Sequence, residues 1–414
     1  MKKLIIILAA LFIGNYCSTV NAQTIENNKI ILGTVDSIQS DALKELRKVW
    51  VYVPTSAANS DAKYPVVYVL DGDGHFTSVV GMIKQLSTNG NIIVPEMIVV
   101  AIPNTDRNRD LTPSLSNNIY AGNSPLTTSG GGDNFMNFIE NELIPYVDSK
   151  YPTTNYRTYI GHSFGGLASI YTLLQRPHLF NNYISIDPSL WWDNELVLKQ
   201  AKSILNEKDF SNKSLYVGIA NTMPKEFEIE NVEKDTTLMT NHIRSILEFS
   251  KTVVPNSSSG LNFNYKYYEN DSHSSAPFIT EYDAFRFLFS WYDLGDIMND
   301  ITNPETSTEA IINNLNSHYK TVSEHFAYKV NPPENLINQL GYGFIGQENF
   351  DKALVLFKMN VENYPESSNV YDSLGDAYVA LEENDKAIEA FSKALTTGGG
   401  NTYSKAKLDA LKEL

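Results

Sequence analysis

The residues best suited to chemistry in this chain lie in the segment 161–166, which reads GHSFGG. It follows a short apolar run at 158–160 and precedes a helix-like run at 167–174, which is the strand, turn and helix context of a G-x-S-x-G nucleophile elbow. Glycines are needed on both sides because the turn that presents the serine is too tight for other side chains. We therefore predict Ser163 as a nucleophile, with the backbone N–H of Phe164 directed at the oxyanion that its attack forms.

The general base that such a serine needs is predicted to be His273. Residues 261–268 alternate between apolar and polar, as a half-buried strand does, and a polar loop at 269–277 follows. The base of an α/β-hydrolase lies in the loop after the last strand, and the order serine before histidine fits that fold. The alternative is a surface histidine with an ordinary hydrogen bond. The remaining histidines fit less well by position: His75, His162, His178, His242 (within a predicted helix), His318 and His325.

The first 22 residues have the features of a signal peptide. Two lysines precede an apolar run at 4–14 that is too short to span a bilayer, and Val-Asn-Ala at 20–22 is a small-residue cleavage site. The single cysteine, Cys17, lies inside this segment, and the bulky Tyr16 before it disfavours lipid attachment. Cleavage after Ala22 leaves no disulfide or thiol nucleophile. The sequence thus predicts an exported protein, periplasmic or secreted, without a transmembrane span.

The charge of the chain excludes some classes of partner. The net charge is −16, and loss of Lys2 and Lys3 makes it −18 (−16 − 2). Such a surface repels nucleic acid and anionic lipid. The sequence contains no H-E-x-x-H pattern, EF-hand loop or phosphate-binding glycine loop, so we expect neither a metal nor a cofactor. Three glycines at 130–132 precede a helix and are interpreted as a hinge.

Strand-like and helix-like segments alternate from Ile30 to about Trp291. Apolar or β-branched runs at 49–53, 66–70, 97–102, 183–186, 215–219 and 263–268 predict strands, and 135–147 has helical periodicity. This alternation predicts an α/β fold with a mostly parallel sheet covered by helices.

The chain changes character after Asp296 and then repeats itself. Leu340-Gly341 recurs as Leu374-Gly375, and Phe357 recurs as Phe391, in each case 34 residues later. This is the period of a tetratricopeptide helix pair. We predict a signal peptide at 1–22, a catalytic domain at 23–296 and a helical linker with tetratricopeptide-like repeats at 297–414. The repeats are interpreted as a cap on the catalytic domain in preference to a groove for a protein partner.

Several further motifs occur in a fixed order and carry a family resemblance. They are YPVVYVLDG at 64–72, NTDRNRDLTP at 104–113, GGDNF at 131–135, ELIPY at 142–146, the elbow, and DPSLWW at 187–192. With these motifs the region from about Ile30 to Trp291 resembles the esterase family of α/β-hydrolases, which includes siderophore esterases, esterase D and feruloyl esterases. The DRNRDLTP and PSLWW segments make the siderophore-esterase branch the most similar.

The resemblance implies roles for individual residues. It makes Ser163 the nucleophile and His273 the base, and the turn after Leu70 supplies a second oxyanion N–H, expected from Asp73 alongside Phe164. Two further groups are implied as substrate contacts, although each has an ordinary structural interpretation as well: Trp191 and Trp192, which suit either a pocket or the core, and Arg107, which suits either a substrate anion or a structural ion pair.

The acid that orients His273 is the least certain element of the pattern. After the strand predicted at 215–219, the next residues include no carboxylate before Glu226 and Glu228. Asp235 opens a predicted helix at 236–249, where it suits an N-cap but also a position facing His273. We predict Asp235, with Glu226 or Glu228 as alternatives and Asp187 as an outside candidate. A Ser–His dyad without an acid is a further possibility.

Three functions are compatible with these residues. The preferred one is an exported serine ester hydrolase that forms an acyl-enzyme on Ser163 and acts on a small-molecule or oligosaccharide ester. The second is an acyltransferase, in which an alcohol replaces the water. The third is an inert binding protein that uses its repeats, which the intact Ser163 and His273 disfavour.

Overall fold

The computed structural model describes residues 24–26, 29–59, 62–88, 93–116, 127–303, 305–398 and 402–413. The predicted signal peptide, residues 1–22, lies outside the described residues. The chain divides into two compact units, the first ending at Ser290 and the second beginning at Trp291. Each helix in the described part of the chain is too short or too polar to cross a bilayer.

The first unit is built on one eight-stranded sheet. A separate antiparallel pair, β1 (Thr24–Glu26) and β2 (Lys29–Ile31), precedes it. The strands of the large sheet are β3 (Thr34–Ser40), β4 (Glu45–Tyr52), β5 (Tyr64–Leu70), β6 (Ile98–Ile102), β7 (Thr153–His162), β8 (Asn182–Ile186), β9 (Ser214–Ala220) and β10 (Asn262–Tyr268).

The sheet is mostly parallel, in the order β10-β9-β8-β7-β5-β6-β4-β3. Only β4 pairs in the antiparallel sense, with β6 on one side and β3 on the other. Strands β5, β6 and β8 are buried at every position, because helices cover both faces of the sheet. The edge strands β3 and β10 instead alternate between exposed and more buried positions. The predicted α/β fold is thus confirmed.

Helices connect these strands and flank the sheet. They are α1 (Gly72–Ser87), α2 (Arg107–Leu111), α3 (Gly132–Phe138), α4 (Ile144–Lys150), α5 (Phe164–Gln175), α6 (Trp192–Glu207), α7 (Asn241–Glu248) and α8 (Ala276–Leu288). A π-helical turn, Ile139–Leu143, joins α3 to α4, and a second one, Phe249–Val253, extends α7. Short 3-10 turns lie at Thr55–Asn59, Val232–Lys234 and Leu238–Thr240.

The strand order brings four loops together at one edge of the sheet. The central strand β7 has β5 and β8 as its parallel neighbours, and β9 and β10 follow beside β8. The carboxyl ends of parallel strands meet at the same edge, which is where open α/β sheets place their ligands. Side chains from the loops after β5, β7, β8 and β10 therefore meet there.

The second unit consists of helices alone among its described residues. They are α9 (Gly295–Thr302), α10 (Thr308–Phe326), α11 (Glu334–Gly346), α12 (Phe350–Asn363), α13 (Ser368–Ala380), α14 (Asn384–Thr396) and α15 (Thr402–Lys412). Helices α11, α13 and α15 start 34 residues apart (334, 368, 402), as do α12 and α14 (350, 384). The predicted 34-residue period therefore appears as a repeat of helix starts. Its assignment as tetratricopeptide repeats stays a prediction.

Candidate active site

Ser163 occupies a strained turn between β7 and α5. Its backbone has φ 60° and ψ −113°, which a residue with a side chain adopts only when the surrounding structure enforces it. The turn is so tight that a Cβ on Gly161 would lie 2.1 Å from the carbonyl oxygen of Gly165. The N–H of Ser163 donates to the carbonyl oxygen of Ile186 at 2.9 Å, which ties the turn to the end of β8. The sequence motif thus forms a nucleophile elbow.

A second hydroxyl lies beside that of Ser163. The Oγ atoms of Ser163 and Ser189 are 3.3 Å apart, and the N–H of Ser189 donates to the carbonyl oxygen of Ser163 at 3.1 Å. Ser189 is buried, so it fixes the wall of the site on the β8 side.

His273 lies at the same edge of the sheet and is hydrogen-bonded to a buried carboxylate. Its Nδ1 lies 2.5 Å from Oδ2 of Asp187, and its ring centroid lies 4.4 Å from that of His162, the residue before Ser163. Asp187 directly follows β8 and is fully buried. Since Nδ1–H donates to the carboxylate, Nε2 of His273 is left as the proton acceptor.

Asp187 receives two further donors. The N–H of Ala220, at the end of β9, donates to Oδ1 at 3.0 Å, and Nε2 of His242 lies 2.9 Å from Oδ2. Burial by itself raises the pKa of a carboxyl group, but His242 and His273 outweigh burial and hold the pKa of Asp187 below its usual range. Asp187 is therefore an ionised carboxylate in the interior.

The structure corrects the prediction that Asp235 is the partner of His273. Oδ2 of Asp235 instead accepts hydrogen bonds from the hydroxyls of Thr237, at 2.6 Å, and Thr240, at 2.5 Å. These bonds lower the pKa of Asp235 to about 2. The predicted helix at 236–249 is also corrected, because α7 starts only at Asn241. The alternatives Glu226 and Glu228 are exposed, and the carboxylate bonded to His273 belongs to Asp187.

Asp187 follows β8, whereas the prediction placed the acid after β9, one strand further along the sheet. The signal that points to it is a carboxylate directly after the apolar strand at 183–186, beside the strand of the nucleophile. No signal in the sequence indicated His242, which belongs to the first turn of α7.

The two predicted oxyanion donors lie at the starts of neighbouring helices. Phe164 is the first residue of α5 and Asp73 lies in the first turn of α1, where backbone N–H groups have no partner within the helix. The two helix starts adjoin, since a Cβ on Gly165 would lie 3.3 Å from Oδ2 of Asp71. The roles of Phe164 and Asp73 stay predictions that this arrangement supports.

Arg107 holds the elbow in this structure. Its Nε and one terminal nitrogen donate to the two oxygens of Asp71 at 2.6 and 2.9 Å, and the same terminal nitrogen donates to the carbonyl oxygen of His162 at 3.2 Å. The guanidinium also lies 5.4 Å from the ring centroid of Phe164. Burial would raise the pKa of Asp71, yet the ion pair lowers it. These contacts give Arg107 a structural role where the resemblance implied a substrate contact.

The two tryptophans differ in burial. Trp192 is 1% exposed, and its Nε1 donates to the hydroxyl of Ser114 at 3.1 Å, so it packs in the core and is not available to a substrate. Trp191 is half-buried, with its ring centroid 6.1 Å from that of Phe164. Of the pair, only Trp191 remains a candidate substrate contact.

His162 is a buried imidazole between two others. Its ring centroid lies 4.4 Å from that of His273 and 6.0 Å from that of His75, and its Nε2 is buried without a hydrogen-bond partner among the described residues. Burial, together with the proximity of the His273 and His75 imidazoles, lowers the pKa of His162 to about 4. His162 is therefore neutral at physiological pH.

The His162 environment predicts how stability depends on pH. Because the pKa of His162 falls from about 6.5 to about 4 on folding, the unfolded chain binds a proton in that pH window and the folded chain does not, so the protein should lose on the order of 3 kcal/mol of its free energy of unfolding as the pH falls through it. Chemical denaturation of wild type and His162→Gln at pH 7 and pH 4 measures this change in the free energy of unfolding. The wild type should lose more of its free energy of unfolding than the variant, and equal losses would contradict this environment.

Asp187, His242 and His273 are also the one group of possible metal ligands among the described residues, with ligand atoms within 4.8 Å of one another. The distances between their ligand atoms indicate hydrogen bonds in preference to coordination of a shared metal ion. Neighbouring ligands on a tetrahedral zinc ion lie about 3.3 Å apart, given zinc–nitrogen bonds of about 2.0 Å. Here the nitrogens lie 2.5 and 2.9 Å from the carboxylate oxygen, which are hydrogen-bond distances.

These residues together form a set suited to acyl transfer. A strained serine, an imidazole oriented by a buried carboxylate, and two adjoining helix starts are the kinds of group that serine-dependent acyl transfer requires.

Comparison with known proteins gives a family and several relatives. The family model described as "Putative esterase" matches residues 40–248. A curated relative, the siderophore triacetylfusarinine C esterase of Aspergillus fumigatus, is 31% identical over 158 residues, which cover 36% of this chain and 52% of that protein. The chain spans about half the length of the curated relatives it matches first.

Two solved structures cover most of the chain. An IroE-like serine hydrolase from Shewanella oneidensis is 29% identical, with a TM-score of 0.65, over 80% of this chain and 99% of that one. An uncharacterised protein from Capnocytophaga ochracea is 19% identical, with a TM-score of 0.60, over 92% of this chain and 99% of that one, a likeness of fold alone. A chloroplast tetratricopeptide protein of Arabidopsis thaliana is 32% identical over 76 residues, which cover 18% of this chain and 25% of that protein.

Proposed function

The chain belongs to this esterase family, and on that premise we propose that it is a serine carboxylic-ester hydrolase with Ser163 as nucleophile and His273 as general base. The observation that carries the proposal is the hydrogen bond from His273 Nδ1 to the buried carboxylate of Asp187, beside a strained serine elbow. This arrangement leaves Nε2 of His273 as the proton acceptor at the edge of the sheet that carries the nucleophile.

The proposed reaction has two halves. In the first, Oγ of Ser163 attacks the ester carbonyl, His273 takes its proton, and the oxyanion is bound by the N–H groups of Phe164 and Asp73. Collapse expels the alcohol, which takes the proton back from His273, and an acyl-enzyme remains. In the second half, water attacks the acyl-enzyme with His273 again as base, and Ser163 is regenerated. Asp187 stabilises the imidazolium in both halves.

The relatives suggest which esters to test first. The curated relatives include a siderophore triacetylfusarinine C esterase and a siderophore enterobactin esterase. We propose a siderophore-type ester as the first substrate class, followed by acetyl or feruloyl esters of polysaccharides. The predicted signal peptide supports a location outside the cytoplasm.

Covalent labelling tests the proposal directly. The purified chain is incubated with a fluorophosphonate, which phosphonylates activated serines, and the labelled peptide is identified by mass spectrometry. We expect one label on Ser163, loss of 4-nitrophenyl acetate hydrolysis in proportion to labelling, and hydrolysis of at least one natural ester class. Absence of labelling in a folded sample, or labelling elsewhere, would refute the assignment.

The proposed site lies wholly in the first unit, so damage to the repeat packing should leave the chemistry intact. A Cβ on Gly341 would lie 2.4 Å from the ring of Phe357, whereas a Cβ on Gly343, in the same helix α11, meets nothing within 4 Å. Gly341→Ala should therefore destabilise the second unit by on the order of 1–3 kcal/mol. Gly343→Ala, the matched control, should stabilise it slightly.

Calorimetry and 4-nitrophenyl acetate kinetics on both variants check this prediction. We expect kcat to stay at the wild-type value in both, while only Gly341→Ala lowers the melting temperature of the helical unit. A loss of kcat confined to Gly341→Ala would make the repeats part of the catalytic apparatus.

A further inference from the structure

We infer that His242 is a positioning residue of the proposed reaction, which holds the carboxylate of Asp187 in the orientation that His273 requires. The inference rests on the proposed function and extends it. It assigns a task to an imidazole outside the proposed serine–histidine–aspartate set, on a helix that carries none of the other proposed site residues.

The contact is direct and buried. Nε2 of His242 lies 2.9 Å from Oδ2 of Asp187, the same oxygen that accepts from Nδ1 of His273 at 2.5 Å. The His242 side chain is 10% exposed, and its ring centroid lies 5.5 Å from that of His273 in an edge-to-face arrangement. The two imidazoles therefore share one carboxylate oxygen.

The shared oxygen explains how a fully buried Asp187 is fixed. A buried ionised carboxylate is stable only when donors satisfy its lone pairs. The N–H of Ala220 holds Oδ1 from the end of β9. Without His242, the only remaining donor to Oδ2 among the described residues is His273, whose ring changes its charge during the proposed reaction. His242 supplies a second anchor that takes no part in proton transfer.

The shared oxygen also couples His242 to the interaction between Asp187 and His273. Each donor draws negative charge from the oxygen that it contacts, so His242 reduces the attraction between Asp187 and the proton on His273. Loss of the His242 donor should make the His273 imidazolium harder to deprotonate. The pH at which activity is half lost on the acidic side should then rise.

Other titratable groups lie near His273 and His242 at this edge of the sheet. His273 faces Asp187, His242 and His162. Beyond His162 lies His75 of α1, whose Nδ1 is 3.4 Å from the buried Glu281 of α8. Arg244, on the same helix as His242, donates to Thr240 and to the backbone of Thr237. Among the described residues, neither the two further histidines nor Glu281 and Arg244 form a hydrogen bond with Asp187, so these four groups stay constant in a comparison of variants at position 242.

Two substitutions separate positioning from packing. His242→Gln retains a side-chain N–H that can reach Asp187, whereas His242→Leu fills similar space without a donor. We expect His242→Leu to lower kcat for 4-nitrophenyl acetate by about 10- to 100-fold, with KM nearly unchanged and the acidic limb of the kcat/KM profile moved to higher pH. His242→Gln should recover most of kcat and the wild-type profile.

Several results would overturn the inference. Wild-type kcat and pH profile in His242→Leu would do so, and so would equal losses in the leucine and glutamine variants. If His242→Leu fails to fold, His242→Asn replaces it, because its amide is too short to reach Asp187, and the same contrast with glutamine applies. Fluorophosphonate labelling of wild type separates failure of the proposed function from failure of the role of His242. If Ser163 is not labelled, the proposed function is refuted. If wild type is labelled and active and His242→Leu is unaffected, only the role of His242 is refuted.

Discussion

Replacing Ser163 with alanine is expected to lower kcat for ester hydrolysis by at least about 10³-fold, because the nucleophile and its base act as a unit. The fold should survive, since alanine keeps the Cβ that the backbone at φ 60° already accommodates. Steady-state kinetics on 4-nitrophenyl acetate and a thermal melt of the same sample give the two measurements.

Ser189→Ala is the matched control for this experiment. Its hydroxyl lies 3.3 Å from that of Ser163 but belongs to the loop after β8, outside the elbow. We expect this variant to retain most of the wild-type kcat. If Ser163→Ala kept a tenth of the activity, Ser163 would not be the nucleophile.

The second large effect is expected at Asp187. Asp187→Asn should lower kcat by about 10²–10⁴-fold, because a carboxamide has one acceptor oxygen and cannot accept both from the imidazoles and from the N–H of Ala220, and because it favours the wrong tautomer of His273. A melting experiment shows how much of the loss is structural, since Asp187 also accepts from the backbone of Ala220.

Asp235→Asn provides the comparison, because it makes the same chemical change on a carboxylate bonded only to threonine hydroxyls among its side-chain contacts. Its kcat should match that of wild type. The reverse outcome is an inactive Asp235→Asn and an active Asp187→Asn. It would support Asp235 as the acid, as predicted from the sequence, and contradict the hydrogen bonding of the structure.

The contrast between Ser163 and Asp187 shows what the sequence can and cannot predict about this site. The elbow is encoded within six consecutive residues, because the turn needs glycines at fixed positions and a strand and helix on either side. His273 could be found from its place after the last strand. The mostly parallel sheet was predictable too, since strands buried on both faces are nearly continuous apolar runs.

The carboxylate partner of His273 could not be predicted from the sequence in the same way. The bond between Asp187 and His273 joins residues 86 apart in sequence, and the bond between Asp187 and His242 joins residues 55 apart. Several carboxylates follow strands at the same edge, and local pattern does not rank them. Asp235 lies at a predicted helix start that suits such an acid, but its carboxylate accepts hydrogen bonds from the neighbouring hydroxyls of Thr237 and Thr240. The sequence left two interpretations of Arg107 open for a related reason, because its ion pair with Asp71 depends on how two distant loops meet.

The position of His273 after the edge strand β10 makes the proposed chemistry depend on two different parts of the sheet. The elbow is formed by β7, β8 and α5 in the middle of the sheet. His273 is in place only while β10, the last described strand and an outer strand of the sheet, pairs with β9. Fraying of this one outer strand would remove the proposed base while the elbow and the core stay intact, so activity reports on the margin of the sheet and not on its centre.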